Sequence, residues 1–155
     1  MKFSTREDVS VPIEHVFRAL CDVEGFERQA MRRGADVRRI DKMTAPGIGM
    51  NWKVGFRMRG RHRELDLELV RFMPPNELGF HARSAGIDSD FTVELIALSV
   101  NRTRMTIGLD IRPLNLSARL LVQSLKLAKS SLTRRFKTSV SNYGKGLEER
   151  FERAS

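Results

Sequence analysis

Residues 115–152 read NLSARLLVQSLKLAKSSLTRRFKTSVSNYGKGLEERFE, and apolar side chains recur through them at intervals of three or four. That spacing predicts one long helix with a single apolar stripe. At 1.5 Å per residue the helix would be roughly 55 Å long, so we expect a bend or frayed end at Gly144 and Gly146. Asn115 or Ser117 can cap its first turn. The residues of the stripe are Leu121, Leu125, Ala128, Leu132, Phe136, Val140, Tyr143, Leu147 and Phe151.

The chain before this helix contains the elements of a sheet that the helix can cover. Residues 2–9 alternate polar and apolar side chains, as a half-exposed strand does. Pro12 suits the first turn of a short helix, and Gly34 suits the end of a second one that begins at Val23. Residues 36–112 read as strands, and turn-forming residues separate about five or six antiparallel runs. The separating segments are residues 45–49, 74–76, 84–86 and 100–102.

Composition and patterning indicate one globular domain over residues 1–155. Hydrophobic residues make up 41% of the chain and charged residues 30%, which suits a folded protein with a core. No apolar run approaches the ~20 residues that a membrane helix needs, and the first residues lack the apolar stretch of a signal peptide. We therefore expect a cytoplasmic protein. The expected architecture is α+β, with a strand, two short helices, a curved antiparallel sheet of about six or seven strands and the long closing helix.

Residue types that support metal or nucleophilic chemistry are few and scattered. The single Cys21 excludes an internal disulfide and lies in an apolar helical stretch, where we expect a buried, inert thiol. The three histidines, His15, His62 and His81, do not have the spacing of metal ligands, and there is no G-x-S-x-G nucleophile elbow. The sequence therefore predicts no metal site and no cofactor, and it leaves the question of catalysis open.

Residues 55–69 read GFRMRGRHRELDLEL, and their alternating arginines raise the question of nucleic-acid binding. A two-residue turn at Gly60–Arg61 would place Arg57 opposite Glu64 on one face and apolar residues together on the other. The acidic neighbours would repel a phosphate backbone, and the aromatic residues face away from the arginines. We interpret the arginines as part of a solvent-exposed sheet face, and we expect no nucleic-acid partner there. They are Arg57, Arg59, Arg61 and Arg63.

The positive charge is concentrated at the C-terminal end. The net charge is +9, and residues 115–155 hold nine basic and three acidic side chains, with no acidic residue before Glu148. On the predicted helix the basic side chains lie opposite the apolar stripe. They form either an ordinary solvated helix face or a surface attracted to anionic lipid headgroups or RNA. The candidates for contact with an anionic surface are Arg119, Lys126, Arg134 and Lys137.

Two stretches resemble the START-like superfamily. Residues 10–28, SVPIEHVFRALCDVEGFER, are similar to its opening strand–helix–helix segment, with Pro12 at the helix start and the pair Val16–Phe17 behind it. Residues 103–129, TRMTIGLDIRPLNLSARLLVQSLKLAK, look like its last strand, short loop and closing helix. The resemblance follows the order of elements along nearly the whole chain. It implies the helix-grip fold shared by Bet v 1-like proteins and the polyketide cyclase/dehydrase group (SRPBCC), with a cavity between the sheet and the last helix.

The resemblance implies binding of a small hydrophobic molecule, such as a lipid, a quinone or a polyketide-like compound. One alternative is a polyketide cyclase- or dehydratase-like enzyme, and a second is a ribosome- or RNA-associated regulator that uses the basic helix. The bulky inner-face residues can line a cavity or simply pack against one another. We expect a monomer or weak dimer, and an anionic membrane surface is a further candidate partner. The candidate lining residues are Trp52, Phe56, Leu67, Phe80, Met105, Leu121 and Leu125.

Overall fold

The computed structural model describes residues 1–155 and contains seven strands and four helices. The strands are β1 (Lys2–Val9), β2 (Asp36–Arg39), β3 (Asn51–Met58), β4 (Arg61–Met73), β5 (Glu77–Ser84), β6 (Ile87–Ser99) and β7 (Arg102–Pro113). The helices are α1 (Ile13–Leu20), α2 (Val23–Arg32), α3 (Leu116–Leu127) and α4 (Lys129–Ala154). The predicted α+β architecture is confirmed, including the two short helices behind the first strand.

The strands form one antiparallel sheet in the order β1-β7-β6-β5-β4-β3-β2, so the first strand pairs with the last. This order places β1 and β2 at the two edges. The helices pack mainly near those edges: α4 lies against β1, α3 against β7, and α2 against β2, while α1 contacts β6 and β7. Helix side chains cover the middle strands β3 to β5 at one end, as where Phe17 packs on Phe72 and Glu27 binds Trp52. Nearer the β3–β4 and β5–β6 turns the inward-facing residues of these strands are only half-buried. Part of the inner face of the sheet is therefore left without a close cover.

The core occupies only one end of the sheet. A cluster of fifteen buried side chains combines residues of α1 and of the second half of α4 with inward-facing residues of six strands. Met50, Leu95 and Met105 are among its most deeply buried members. At the opposite end lie the β3–β4 and β5–β6 turns, where the inward-facing side chains are only half-buried. One end of the fold therefore contributes most of the apolar burial.

The long C-terminal helix bends at Ala128, and the predicted bend at Gly144 and Gly146 is wrong. Asn115 caps α3 as expected, because its side-chain oxygen accepts a hydrogen bond from the Ala118 N–H at 2.8 Å. Ala128 separates α3 from α4 and has φ −103° and ψ 16°. The bend lets α3 pack over β7 while α4 packs against β1. A single straight helix would not follow both strands of a twisted sheet.

Gly144 is a packing glycine. A Cβ atom added there would lie 2.9 Å from Val9 Cγ1 and 3.3 Å from Glu7 Cγ, so the missing side chain lets α4 lie directly on β1. Gly146 has no atom within 4 Å of the corresponding position. Both are glycines in the middle of a helix, where alanine has the better helix propensity. Alanine substitutions at the two sites therefore distinguish the effect of close packing from the effect of helix propensity.

We expect Gly144→Ala to lower the free energy of unfolding by about 1–2 kcal/mol, because overpacking against the buried Val9 outweighs the gain in helix propensity. Gly146→Ala is the matched control and should raise that free energy by about 0.5–1 kcal/mol. Urea denaturation followed by circular dichroism measures both. Equal effects of the two changes would show that α4 does not lie so close to β1.

The β3–β4 hairpin has a different register from the predicted one. Its two-residue turn is Arg59–Gly60, and both residues have positive φ (53° and 75°), as in a type I′ turn. The register is shifted by two residues, so Arg57 lies opposite His62 and not opposite Glu64. A shift of two preserves which side chains face inward, because side chains alternate along a strand. The apolar inner face predicted for this hairpin therefore remains, while its ion pairs change.

The shifted register separates the four arginines. Arg63 shares the inner face with Leu65 and lies opposite Phe56, so its interpretation as part of a solvent-exposed face is wrong. Arg57 lies on the outer face but has no ion pair there. On that face Lys53 pairs instead with Asp66, at 3.4 Å. Arg57 and Arg63 lie on opposite faces because the alternating run of arginines passes through the turn.

Asp41 fixes the long connection between β2 and β3. Its carboxylate accepts hydrogen bonds from the Arg39 guanidinium at 3.0 Å and from the N–H groups of Met43 and Asn51 at 2.9 Å each. The bond from Arg39 is the main cause, and the two backbone bonds a further one, that hold the pKa of Asp41 well below its usual range. The ionised carboxylate therefore stabilises the fold.

Because the pKa of Asp41 is lower in the folded state than its unfolded value of about 3.9, the stabilisation is present above that pH and is lost as the pH falls below it. We expect Asp41→Asn to be less stable than the wild type near neutral pH. The two proteins should converge in acid, in urea unfolding measured across that range. Asp36→Asn, which removes an exposed carboxylate from β2, is the control. A difference between wild type and Asp41→Asn that does not change with pH would contradict the prediction.

Candidate ligand-binding groove

The inner face of the sheet is left partly open at its turn end. The accessible surface of the protein is 9999 Å², whereas a compact monomer of this mass would expose roughly 7,900 Å². The protein is therefore less compact than an average monomer, and the side chains of its partly open inner face are mostly apolar. The half-buried, inward-facing residues are Val54, Phe56, Leu65, Leu67, Phe80, Ala82, Phe91 and Leu109.

An aromatic row runs across the middle of this face. The rings of Trp52 and Phe80 have centroids 6.3 Å apart, and those of Phe80 and Phe91 are also 6.3 Å apart. The indole N–H of Trp52 donates to Glu27 Oε2 at 2.9 Å and so ties β3 to α2. Trp52 is the only tryptophan of the chain. Its fluorescence will therefore report on molecules that enter beside it.

Two open clefts flank α2. The first has a volume of about 620 Å³ and lies between α2, the following turn and β3, with Phe56 and Arg57 on its wall. The second has a volume of about 340 Å³ and lies between α2 and α4, where Asp22 and Arg150 contribute charge. Phe26 and Gln29 line both clefts. Helix α2 therefore stands between two openings.

Tyr143 is the most enclosed polar residue of the second cleft. Its hydroxyl is buried and has no hydrogen-bond partner. Burial raises the pKa of Tyr143, while the nearby Arg150 opposes the shift. The Arg150 guanidinium carbon lies 5.9 Å from the centre of the tyrosine ring. The phenol is therefore neutral near physiological pH, and its oxygen is free to accept or donate one hydrogen bond.

Arg63 is the cation of the inner face. Its Nε atom is buried without a hydrogen-bond partner, and its guanidinium takes part in no ion pair. Arg63 lies between Phe56 and Leu65 on the apolar side of the hairpin. A buried unpaired donor costs free energy that an added acceptor recovers. The sequence analysis missed this residue, although Arg63 lies two and four residues before Leu65 and Leu67, a spacing that places side chains on the same face of a strand.

The predicted lining residues of β3 to β5 lie side by side on the inner face. Trp52 is opposite Leu67, and Phe80 contacts the ring of Trp52. Leu67 and Phe80 are half-buried, whereas Trp52 is only 6% exposed. Phe56 lines the first cleft. These four residues form one continuous wall, and their contact with a ligand remains a prediction.

The other three predicted lining residues lie elsewhere. Met105 is 0% exposed and sits in the packed core next to Gly144, so it offers no open surface to a ligand. Leu121 and Leu125 are half-buried on α3, the helix that packs against β7, and their contact with a ligand stays a prediction.

The remaining predicted residues lie away from the inner face. His62 and His81 are on the outer face, where His81 Nδ1 is 3.0 Å from Asp90 Oδ1. The His15 ring lies against Phe151, with centroids 4.7 Å apart. Cys21 is half-buried, and burial raises the pKa of its thiol. No group of three or more histidine, cysteine, aspartate or glutamate side chains is arranged to hold a metal ion. No helix combines the length and apolar character that crossing a bilayer would require.

No protein-family model and no curated protein sequence matches the chain. Solved structures do match it over nearly its full length. A protein of Thermus thermophilus aligns with 100% of this chain and 99% of its own, with a TM-score of 0.65 at 17% identity. The Zhui aromatase/cyclase of a Streptomyces species aligns with 97% of this chain and 94% of its own, with a TM-score of 0.66 at 12% identity.

A START superfamily protein of Mycobacterium smegmatis is also similar, covering 86% of this chain and 95% of its own, with a TM-score of 0.56 at 10% identity. The chain has the START-like helix-grip fold. The resemblance seen in residues 10–28 and 103–129 is thereby confirmed for the fold. At these identities the likeness concerns the fold, and function depends on the side chains of the site.

We expect Ala82→Phe to leave the free energy of unfolding unchanged or to raise it, because Ala82 faces the open part of the inner face between Leu67 and Ser89. Ala118→Phe is the matched control. Ala118 is buried on the side of α3 that packs against the protein, so the same enlargement should cost about 1–3 kcal/mol there. Thermal and urea unfolding compare the two. A comparable loss for both variants would mean that the inner face is already filled by protein atoms.

Proposed function

We propose that this START-like protein binds a small hydrophobic molecule with an acidic or strongly polar head group. The apolar body lies on the half-exposed wall of Phe56, Leu67 and Phe80, and the head group accepts hydrogen bonds from Arg63. A lipid with a carboxylate and a polyketide-like acid both satisfy this description. The observation that carries the proposal is an apolar, concave and incompletely covered sheet face with the partly buried, unpaired cation Arg63 on it.

Charge is the reason for expecting an acidic head group. A half-buried guanidinium among apolar residues loses hydration and gains nothing from its neighbours. A ligand carboxylate supplies the missing acceptor, and a hydrogen bond between charged groups contributes about 1.5–3 kcal/mol. A neutral ligand of equal length obtains the same apolar contacts without this contribution. Affinity should therefore differ between an acid and the corresponding alcohol.

The test measures quenching of Trp52 fluorescence by oleate and by oleyl alcohol. We expect the wild type to bind oleate at least about tenfold more tightly than the alcohol, and Arg63→Met to remove that preference by weakening oleate alone. Arg59→Met is the matched control. It removes the same charge from the same hairpin, but at the exposed turn, and should retain the preference.

Two results would overturn the proposal. If neither ligand changes the fluorescence, and native mass spectrometry detects no lipid, quinone or polyketide adduct, the inner face does not bind such molecules. If oleate binds but Arg63→Met and Arg59→Met behave alike, the head group is not held by Arg63. Far-ultraviolet circular dichroism of each variant establishes that the fold is retained.

A second candidate function is a cyclase- or dehydratase-like reaction on a bound ketone. The likeness to an aromatase/cyclase and the inward Arg63 favour it, since a guanidinium stabilises a developing enolate oxygen. Proton removal also needs a base, and His15, His62 and His81 lie away from the inner face. Binding is therefore the function that the site supports better. Turnover of a reactive poly-β-ketone that is lost in Arg63→Met and unaffected in Arg59→Met would favour the reaction instead.

A further inference from the structure

Helix α3 carries a second apolar face that nothing in the protein covers. Leu116, Leu120 and Leu127 are 73%, 60% and 92% exposed. They lie within about 40° of one another on the helical wheel. The buried residues Ala118 and Val122 lie on the opposite side and pack against the protein. A surface helix that is apolar on two opposite faces has only one of them satisfied by the fold.

Basic residues lie along one side of the exposed leucine row, and acidic residues are absent from α3. Arg119 and Lys126 are exposed beside the leucine row and take part in no ion pair. Arg134 and Lys137 are exposed on α4, beyond the bend at Ala128. The chain has no acidic residue from position 115 to position 147. The exposed face of α3 is therefore both apolar and strongly positive.

The β3–β4 turn extends this positive surface. The Leu114 N–H donates to the Gly86 carbonyl at 2.7 Å, so α3 starts beside the β5–β6 turn. Strand register places Arg83 opposite Asp66, and the turn at residues 59–60 therefore projects beyond the β5–β6 turn at the same end of the sheet. Arg59 and Arg61 are exposed there without ion pairs. The start of α3 and the two exposed arginines of the β3–β4 turn therefore lie at the same end of the sheet, where the inner face is open.

We propose that the exposed face of α3 docks on a lipid bilayer containing anionic headgroups. The leucines enter the boundary between headgroups and acyl chains, and Arg119 and Lys126 contact the phosphates. Neither property alone accounts for the surface, because solvated helix faces do not need exposed leucines and apolar contacts do not need unpaired cations. An interfacial helix needs both.

Charge argues against a second copy as the occupant. In a two-fold symmetric dimer each helix face meets its own counterpart, which brings Arg119 and Lys126 of one copy towards the same residues of the other. Like charges then oppose association, with no acidic side chain on α3 to offset them. RNA would accept the cations but would leave the leucines exposed to water. An anionic bilayer satisfies both kinds of side chain.

Docking in this orientation brings the open end of the groove to the membrane. A hydrophobic ligand could then pass between bilayer and groove without crossing water, and this consequence rests on the proposed function. The docking itself does not depend on it, because the leucine row and the flanking cations lie outside the groove. The two proposals can therefore fail separately.

Co-flotation with vesicles tests the docking. We expect the full-length protein to float with vesicles of phosphatidylcholine mixed with phosphatidylglycerol, to float much less with phosphatidylcholine alone, and to be released by salt. Leu120→Gln with Leu127→Gln should lower the partition coefficient by about a hundredfold, at roughly tenfold for each leucine withdrawn. Arg119→Gln with Lys126→Gln should lower it by about twentyfold, at roughly fivefold for each charge.

Matched controls remove similar groups elsewhere. Val100 is a highly exposed apolar residue at the β6–β7 turn, so Val100→Gln should leave vesicle binding unchanged. Lys2 and Arg6 are exposed on the outer face of β1, and Lys2→Gln with Arg6→Gln removes the same charge as the α3 pair. Trp52 fluorescence with oleate, measured without vesicles, should be the same in the leucine variant as in the wild type. If oleate changes the fluorescence of neither protein, the result counts against ligand binding in the groove and leaves the docking proposal intact.

Three results would overturn the docking proposal. The first is the absence of flotation with anionic vesicles, or flotation that the leucine variant leaves unchanged. The second is a dimer in light scattering that the leucine substitutions dissociate, since the covering surface would then be a second copy. The third is salt-sensitive binding to RNA by the wild type and leucine variant alike, with no binding to vesicles. Circular dichroism of each variant confirms that α3 remains folded.

Discussion

The direct contact between Gly144 of α4 and Val9 of β1 determines where open space remains in this fold. With no side chain at Gly144, the helix lies against an edge strand and contributes its apolar residues to a core at one end of the sheet. Because packing is close at that end, side chains such as Met105 have no exposed surface. The middle strands are covered less closely near the β3–β4 and β5–β6 turns, where their inner face remains half-exposed.

This separation of a packed end from an open end has an energetic basis. Apolar burial scales with the area removed from water, so the core at one end can stabilise the chain while the other end leaves apolar area exposed. The inward, unpaired Arg63 is tolerable under the same conditions, since a half-buried guanidinium keeps part of its hydration. Arg63 would be far more costly beside Met105 than it is beside Phe56. The position of the cation therefore follows from where the core ends.

The bend at Ala128 has a similar consequence for the outside of the molecule. It sends α3 over β7, so one face of α3 packs on the sheet, and Leu116, Leu120 and Leu127 face outwards. The basic residues beside them were visible in the sequence as a charged helix face. The exposed leucines were not, because a sequence with leucines on most sides of a helix does not show which of them are buried.

Much of the fold was predictable from local pattern. The alternation of residues 2–9, the turn signals between strands and the Asn115 cap all act within a few residues. The predicted strands and the two short helices exist, while the predicted long helix is divided at Ala128. The predicted hairpin register was wrong by two residues because Gly60 is compatible with a turn at Arg59–Gly60 and with a turn at Gly60–Arg61. The apolar pattern could not distinguish the two turns, since a shift by an even number of residues leaves the same side chains facing inward. The sequence by itself determined the order and type of the strands and short helices and most of the inward-facing apolar side chains, because these follow from local pattern. Only the tertiary structure decided that Met105 lies in the core, that Arg63 lies inside the groove and that the helix bends at Ala128, because these depend on contacts between segments far apart in the chain.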